Sequence, residues 1–140
     1  MARSDRVVLD ASVVIKWYVE EEGTDQALEL LNDYSDGKLD IISVQLMPFE
    51  VMNALRYDPA LGAKDLITIG QSLSMLQIAL FPILDGLYRE SVRIATEHGT
   101  TVYDASYLSL ARSTGCVLYT SDAKFSDKVG NDEHLSLLMG

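Results

Sequence analysis

Short apolar runs alternate with amphipathic ones along this chain. Arg6-Val7-Val8-Leu9-Asp10 is a β-branched run closed by an acid, which predicts a buried strand. Leu39 to Val44 and Cys116 to Thr120 predict two more. Leu80-Phe81-Pro82-Ile83 predicts a short edge strand, since proline cannot donate to a central ladder, and Leu135 to Met139 predicts a last strand. Helical spacing fills the intervals: Ser12–Val19, Thr24–Tyr34, Met47–Tyr57, Gly62–Leu80, Asp85–His98, Asp104–Ser113 and Ala123–Val129. Asp58-Pro59 ends the third of these, because the residue before proline is pushed out of the helical region. Gly99 is the expected C-terminal cap of the fifth. The run Glu20-Glu21-Glu22-Gly23 reads as a solvated break. Apolar residues cover several faces of Gly62–Leu80, so that helix is either a central core element or an interface.

Strands alternating with helices predict an α/β domain with a central, mostly parallel sheet flanked by helices. Right-handed crossovers gather the carboxyl ends of such strands on one rim, where ligands bind. The 140 residues suit one domain spanning 1–140, with no repeat or linker-like shift in composition.

Composition excludes some classes. The polar start, Met1 to Arg6, has no secretory apolar region, and no stretch approaches the roughly 20 apolar residues of a membrane span. A lone cysteine, Cys116, builds neither a disulfide framework nor a thiolate zinc site, and a cytoplasmic setting is the simpler expectation. The formal net charge of −10, from 21 acidic against 11 basic residues, conflicts with nucleic-acid binding unless divalent metal offsets part of the excess. It also suits a basic protein partner.

The acids that matter lie at strand ends. Asp10 follows the first strand and Asp122 follows Val117-Leu118-Tyr119. Asp104 opens a helix, as its cap or in its first turn, and Glu50 sits in the first turns of the helix after the second strand. Topology places all four on one rim. Crowded carboxylates repel and raise each other's pKa, and a hard cation such as Mg²⁺ or Mn²⁺ relieves that conflict. Each acid has a plainer reading: Asp104 as a helix cap, Asp122 as a turn residue. Ser12, Asn53 and Thr120 fall beside the acids as supporting polar residues, although ordinary capping or strand-end bonding accounts for each alone. Lys16, Arg56, Arg89, Arg93, Arg112 and Lys124 form the pool for phosphate contacts. Trp17 is expected to pack or to line the groove, and His98 and His134 are poor candidates for catalysis.

Four blocks now carry a resemblance: Val8-Leu9-Asp10-Ala11-Ser12-Val13, Glu50-Val51-Met52-Asn53-Ala54-Leu55, Tyr103-Asp104-Ala105-Ser106-Tyr107-Leu108-Ser109-Leu110-Ala111 and Tyr119-Thr120-Ser121-Asp122-Ala123-Lys124-Phe125. In this order and spacing the chain closely resembles the PIN-domain family, nearest to the VapC-type toxins of prokaryotic toxin–antitoxin pairs. The resemblance implies a three-layer PIN-like fold and an Mg²⁺- or Mn²⁺-dependent endoribonuclease leaving 5′-phosphate and 3′-hydroxyl ends. It implies Asp10, Glu50, Asp104 and Asp122 as catalytic and metal-binding acids, with Ser12, Asn53 and Thr120 in support. The partners implied are RNA, a homodimer mate and an antitoxin whose tail enters the groove.

Rival readings remain on residue grounds. A phosphoacceptor signalling domain wants an acidic pair after the first strand, and an aspartate-nucleophile phosphatase wants a second acid where Ser12 stands. A PIN-like RNA-processing nuclease and a catalytically idle, protein-binding PIN scaffold are the nearer alternatives.

Overall fold

The computed structural model describes residues 5–138. Met139, assigned from sequence to the last strand, and the chain ends of the expected 1–140 domain lie outside the described residues. Five strands form one parallel sheet: β1 (Asp5–Leu9), β2 (Leu39–Val44), β3 (Ala79–Phe81), β4 (Val117–Thr120) and β5 (Leu135–Leu137). Their order across the sheet is β3-β2-β1-β4-β5. The chain therefore winds outward from β1 to one edge, then restarts on the other side of β1 with β4. The gap between the carboxyl ends of β1 and β4 is the topological switch point, the place where parallel sheets open a crevice.

The flanking helices are α1 (Ala11–Val14), α2 (Thr24–Ser35), α3 (Met47–Leu55), α4 (Ala63–Met75), α5 (Asp85–His98), α6 (Val102–Thr114) and α7 (Ala123–Val129). Helices supply each crossover, so the inner strands are covered on both faces and read as unbroken apolar runs. Val8, Leu9, Ile41, Ile42, Val44 and Leu118 are fully buried as a result. The edge strands β3 and β5 carry no fully buried residue, the starts of β1 and β2 and alternate residues of β4 are also partly open, and Pro82 directly follows β3 as edge placement requires. Ser43 Oγ donates to the Leu9 carbonyl at 2.7 Å, fixing the end of β1 from which the next residue, Asp10, departs. No helix among the described residues is long and apolar enough to cross a membrane.

Three elements differ from the sequence reading. The helix expected over Ser12–Val19 is one α turn followed by a 3-10 turn, Ile15–Trp17. Trp17 leaves it to donate its indole N–H to the Ala27 carbonyl at 2.8 Å, so it packs rather than lines the site. The long helix expected to reach Leu80 stops at Met75, because Gln77 adopts a left-handed φ of 55° and Leu80 is needed in β3. Within α4 only Leu73 is buried, while Ile67 and Met75 face solvent, which overturns the central-core reading of this helix. Finally, α6 begins at Val102 with Thr101 as its cap, so Asp104 lies in the first turn and is not the cap.

Candidate active site

Asp10 steps off β1 into the switch point and is 8% exposed. A buried carboxylate needs partners, and it has three. Ser12 Oγ donates to Oδ1 at 2.5 Å, Thr120 Oγ1 donates to Oδ2 at 2.5 Å, and the Val13 amide reaches Oδ1 at 3.3 Å. The two hydroxyls are themselves anchored. Ser12 Oγ accepts from the Ser121 amide at 2.8 Å, and Thr120 Oγ1 accepts from the Asp122 amide at 3.1 Å. Residues 10–12 and 120–122 are thus laced together across the switch point. Burial nonetheless dominates and lifts the Asp10 carboxyl from 3.8 to about 6, against the hydrogen bonds, with Asp104's charge adding to the rise.

Asp122 caps α7 by accepting from the Phe125 amide at 3.1 Å, so the turn-residue reading and the site reading both hold for it. Asp104 is carried into the crevice by α6, whose start is fixed by Thr101 Oγ1 accepting the Asp104 amide at 3.0 Å. Glu50 enters from the first turn of α3, behind Pro48, which suits a helix start. The Tyr107 hydroxyl donates to Glu50 Oε1. That phenol is 1% exposed, one turn after Asp104 on α6, and it locks α3's acid to α6. Sequence alone gives Tyr107 no role beyond its place in the third motif block. Its signal was the i, i+3 spacing from Asp104, which puts both on one helix face.

Like charge acts within this group. Burial raises Glu50 first, the Tyr107 bond opposes, and Asp104's charge adds to the rise. Burial also raises Asp104, and Asp122's charge raises it further, while Thr101 and the Lys128 charge oppose. Burial and Glu50 together push the Tyr107 phenol far up, keeping it a donor. Asp104's charge thus acts on Asp10 and Glu50, and Asp122's charge acts on Asp104.

Cavities open on both flanks of this group. One of about 390 Å³ lies between α3 and the start of α6, walled by Glu50, Asn53, Phe49 and Tyr103. Another of about 330 Å³ lies between α6 and α7, walled by Asp104, Asp122, Lys124 and Lys128. Asn53 thus joins Glu50 in a wall, while Ser12 and Thr120 grip Asp10 directly. Much of the expected basic pool is engaged elsewhere: Lys16 with Glu21, Arg89 with Asp85, Arg93 with Glu90, and Arg112 with Glu90 and Asp132. Lys128, outside that pool, stands at the site. His134 Nδ1 lies 2.8 Å from the Cys116 carbonyl, away from the acids.

An all-oxygen donor set, mutually destabilised by burial and like charge, is chemically suited to Mg²⁺ or Mn²⁺. A buried Ser121 Oγ without a partner among the described residues adds an unused polar atom between Thr120 and Asp122. Among the described residues no three His, Cys, Asp or Glu side chains stand so that they could hold an ion without moving.

Residues 7–131 match the family model described as PIN domain. The chain is 28% identical over 131 residues to a protein of Pyrobaculum aerophilum named Ribonuclease VapC3, covering 88% of this chain and 94% of that one. It is 34% identical over 85 residues to the same organism's Exonuclease VapC9, covering 61% of this chain and 64% of that one. A chain in the crystal structure of a toxin–antitoxin complex from Klebsiella pneumoniae superposes with a TM-score of 0.69 at 16% identity, over 93% of this chain and 95% of that one.

Proposed function

The chain belongs to the PIN domain family, and from that premise we propose that it is a metal-dependent endoribonuclease, the toxin of a toxin–antitoxin pair. One observation carries the proposal. Acids from four separated segments gather at the switch point: Asp10 is bonded to Thr120, Asp104 and Asp122 line one cavity, and Tyr107 ties Glu50 to α6. Residues 1–140 would form one such domain. The relatives' names include both a ribonuclease and an exonuclease. Openings on both sides of the acids favour internal cleavage, because a strand can enter by one flank and leave by the other.

Asp10, Glu50, Asp104 and Asp122 would hold one or two Mg²⁺ or Mn²⁺ ions. Bound there, the ions would polarise the phosphoryl oxygens and lower the pKa of an attacking water. The protein's own part is positioning. Ser12 and Thr120 hold the Asp10 carboxylate in one orientation, and Tyr107 does the same for Glu50. Attack by water at phosphorus with release of the 3′ oxygen leaves 5′-phosphate and 3′-hydroxyl ends. Burial makes the charged form of Asp10 costly, and the bonds from Ser12, Thr120 and Val13 offset part of that cost.

The antitoxin partner rests on the Klebsiella pneumoniae complex. The exposed apolar residues Phe49, Ile67, Met75 and Leu84 offer surface for it and for a homodimer mate. This reading also places the protein in the cytoplasm, where its RNA is. The test is cleavage of RNA by purified protein with Mg²⁺ or Mn²⁺ and with chelator. Metal-dependent internal cuts lost in Asp104→Asn support the proposal, and equal cleavage by Asp104→Asn removes its basis.

A further inference from the structure

Lys124 and Lys128 stand four residues apart on α7, hence on one face, and both line the cavity that also contains Asp104 and Asp122. Lys128 Nζ donates to the Gly99 carbonyl at 3.1 Å, which fixes the side chain against the loop before α6 and leaves its other donors free. Its charge reaches Asp104. Lys124 has no ion pair among the described residues. In a chain of net charge −10, two cations beside an acidic centre are an unexpected placement. They neither pair off with surface acids, as Lys16, Arg89 and Arg112 do, nor sit far from the reaction. The same cavity carries the Thr100 and Thr101 side chains.

We propose that this cavity is a subsite for an RNA backbone phosphate neighbouring the one that is cut, with Lys124 and Lys128 as its ligands. The inference rests on the nuclease reading and adds the path of the strand. The phosphate to be cleaved meets the carboxylate end of the cavity, and the next phosphate meets the lysine end. The strand then continues past the Gly99–Thr101 loop. On an acidic surface the lysine pair supplies a disproportionate share of the attraction, because Lys16, Arg89, Arg93 and Arg112 are each paired with an acid.

Each phosphate contact on a single strand contributes about 0.7 to the slope of log affinity against log salt concentration. The experiment uses the Asp10→Asn protein, which binds without cutting, and short single-stranded RNA at a fixed low magnesium concentration. Affinity is measured by fluorescence anisotropy across a salt series. Lys124→Gln and Lys128→Gln should each flatten the slope by about 0.7, and the pair by about 1.4. The losses should be alike for RNAs of different sequence, since backbone contacts carry no sequence information. A Lys124→Arg, Lys128→Arg protein should keep the parental slope. Lys64→Gln, on exposed α4, controls for net charge. An unchanged slope in the double glutamine variant overturns the subsite, as does an equal fall in the Lys64 control. If the Asp10→Asn parent itself shows no RNA binding at any salt, the nuclease reading fails first and the subsite falls with it.

Discussion

Asp10→Asn should make the metal-free protein more stable while disabling it. The carboxyl is buried and its pKa is raised from 3.8 to about 6, so the folded state binds its proton more tightly than the unfolded chain does. Stability then falls as pH rises between about 4 and 6, where the unfolded chain has already released that proton. Above pH 6 the cost levels off. About two pH units at about 1.4 kcal/mol each amount to about 3 kcal/mol at pH 7. Asparagine removes that cost at small geometric expense. Its oxygen, placed at Oδ1, still accepts from Ser12 and Val13, and its amide, placed at Oδ2, donates to the Thr120 hydroxyl, which can accept a second bond. For a domain of this size the gain corresponds to a melting temperature about 10 °C higher. The assay is thermal unfolding of wild type and variant in chelator at pH 7.5 and at pH 4. The gap should be wide at pH 7.5 and nearly closed at pH 4. Mg²⁺ should raise the wild type much more than the variant. A variant that melts no higher than wild type at pH 7.5, or an advantage that persists undiminished at pH 4, would refute the claim that Asp10 is held at a cost.

Tyr107→Phe should cost about 1–2 kcal/mol, the worth of a hydrogen bond to a carboxylate that keeps some access to water, and should weaken Mg²⁺ binding in calorimetry; unchanged metal affinity would show that the phenol does not position Glu50. Thr120→Val deletes the Oδ2 partner of Asp10 and the acceptor for the Asp122 amide, so a loss of about 2–3 kcal/mol is expected in denaturant titration at pH 7, smaller at pH 4 where Asp10 is neutral. Gly23→Ala places a side chain at φ 88°, where its Cβ would lie 3.3 Å from Lys16 Cε; it should cost about 1–2 kcal/mol in melting experiments and leave specific activity intact, since Gly23 touches none of the four acids or their hydrogen-bond partners.

The sheet was legible because β1 and β2 are buried on both faces, and continuous runs such as Val7-Val8-Leu9 and Ile41-Ile42 announce that directly. Asp10 and Asp122 were legible for the same reason, since an acid that ends a buried parallel strand emerges at the rim. Asp104 needed more. Its cap reading failed because Thr101, three residues earlier, offered the better geometry, and neighbouring threonines and aspartates compete for that role. The end of α4 was hidden because Leu76 and Leu80 continue the helical stripe of Leu66, Ile69 and Leu73. Only the demand of β2 for an edge partner, met by Ile42 against Ala79 and Val44 against Phe81, pulls the chain out of the helix. Tyr107 and Lys128 gain their roles from contacts across 57 and 29 residues, which local patterning does not encode.

The lacing of residues 10–12 to residues 120–122 also has a bearing on biosynthesis. β1 leaves the ribosome first and can pair with β2 after some thirty further residues, yet its other flank waits for β4. Until Thr120 has emerged, Asp10 lacks the partner of its Oδ2, and until Ser121 and Asp122 follow, Ser12 and Thr120 lack the amides that anchor them. On the proposed function, the nuclease would become competent only when translation is nearly complete, an interval in which an antitoxin already present could engage it.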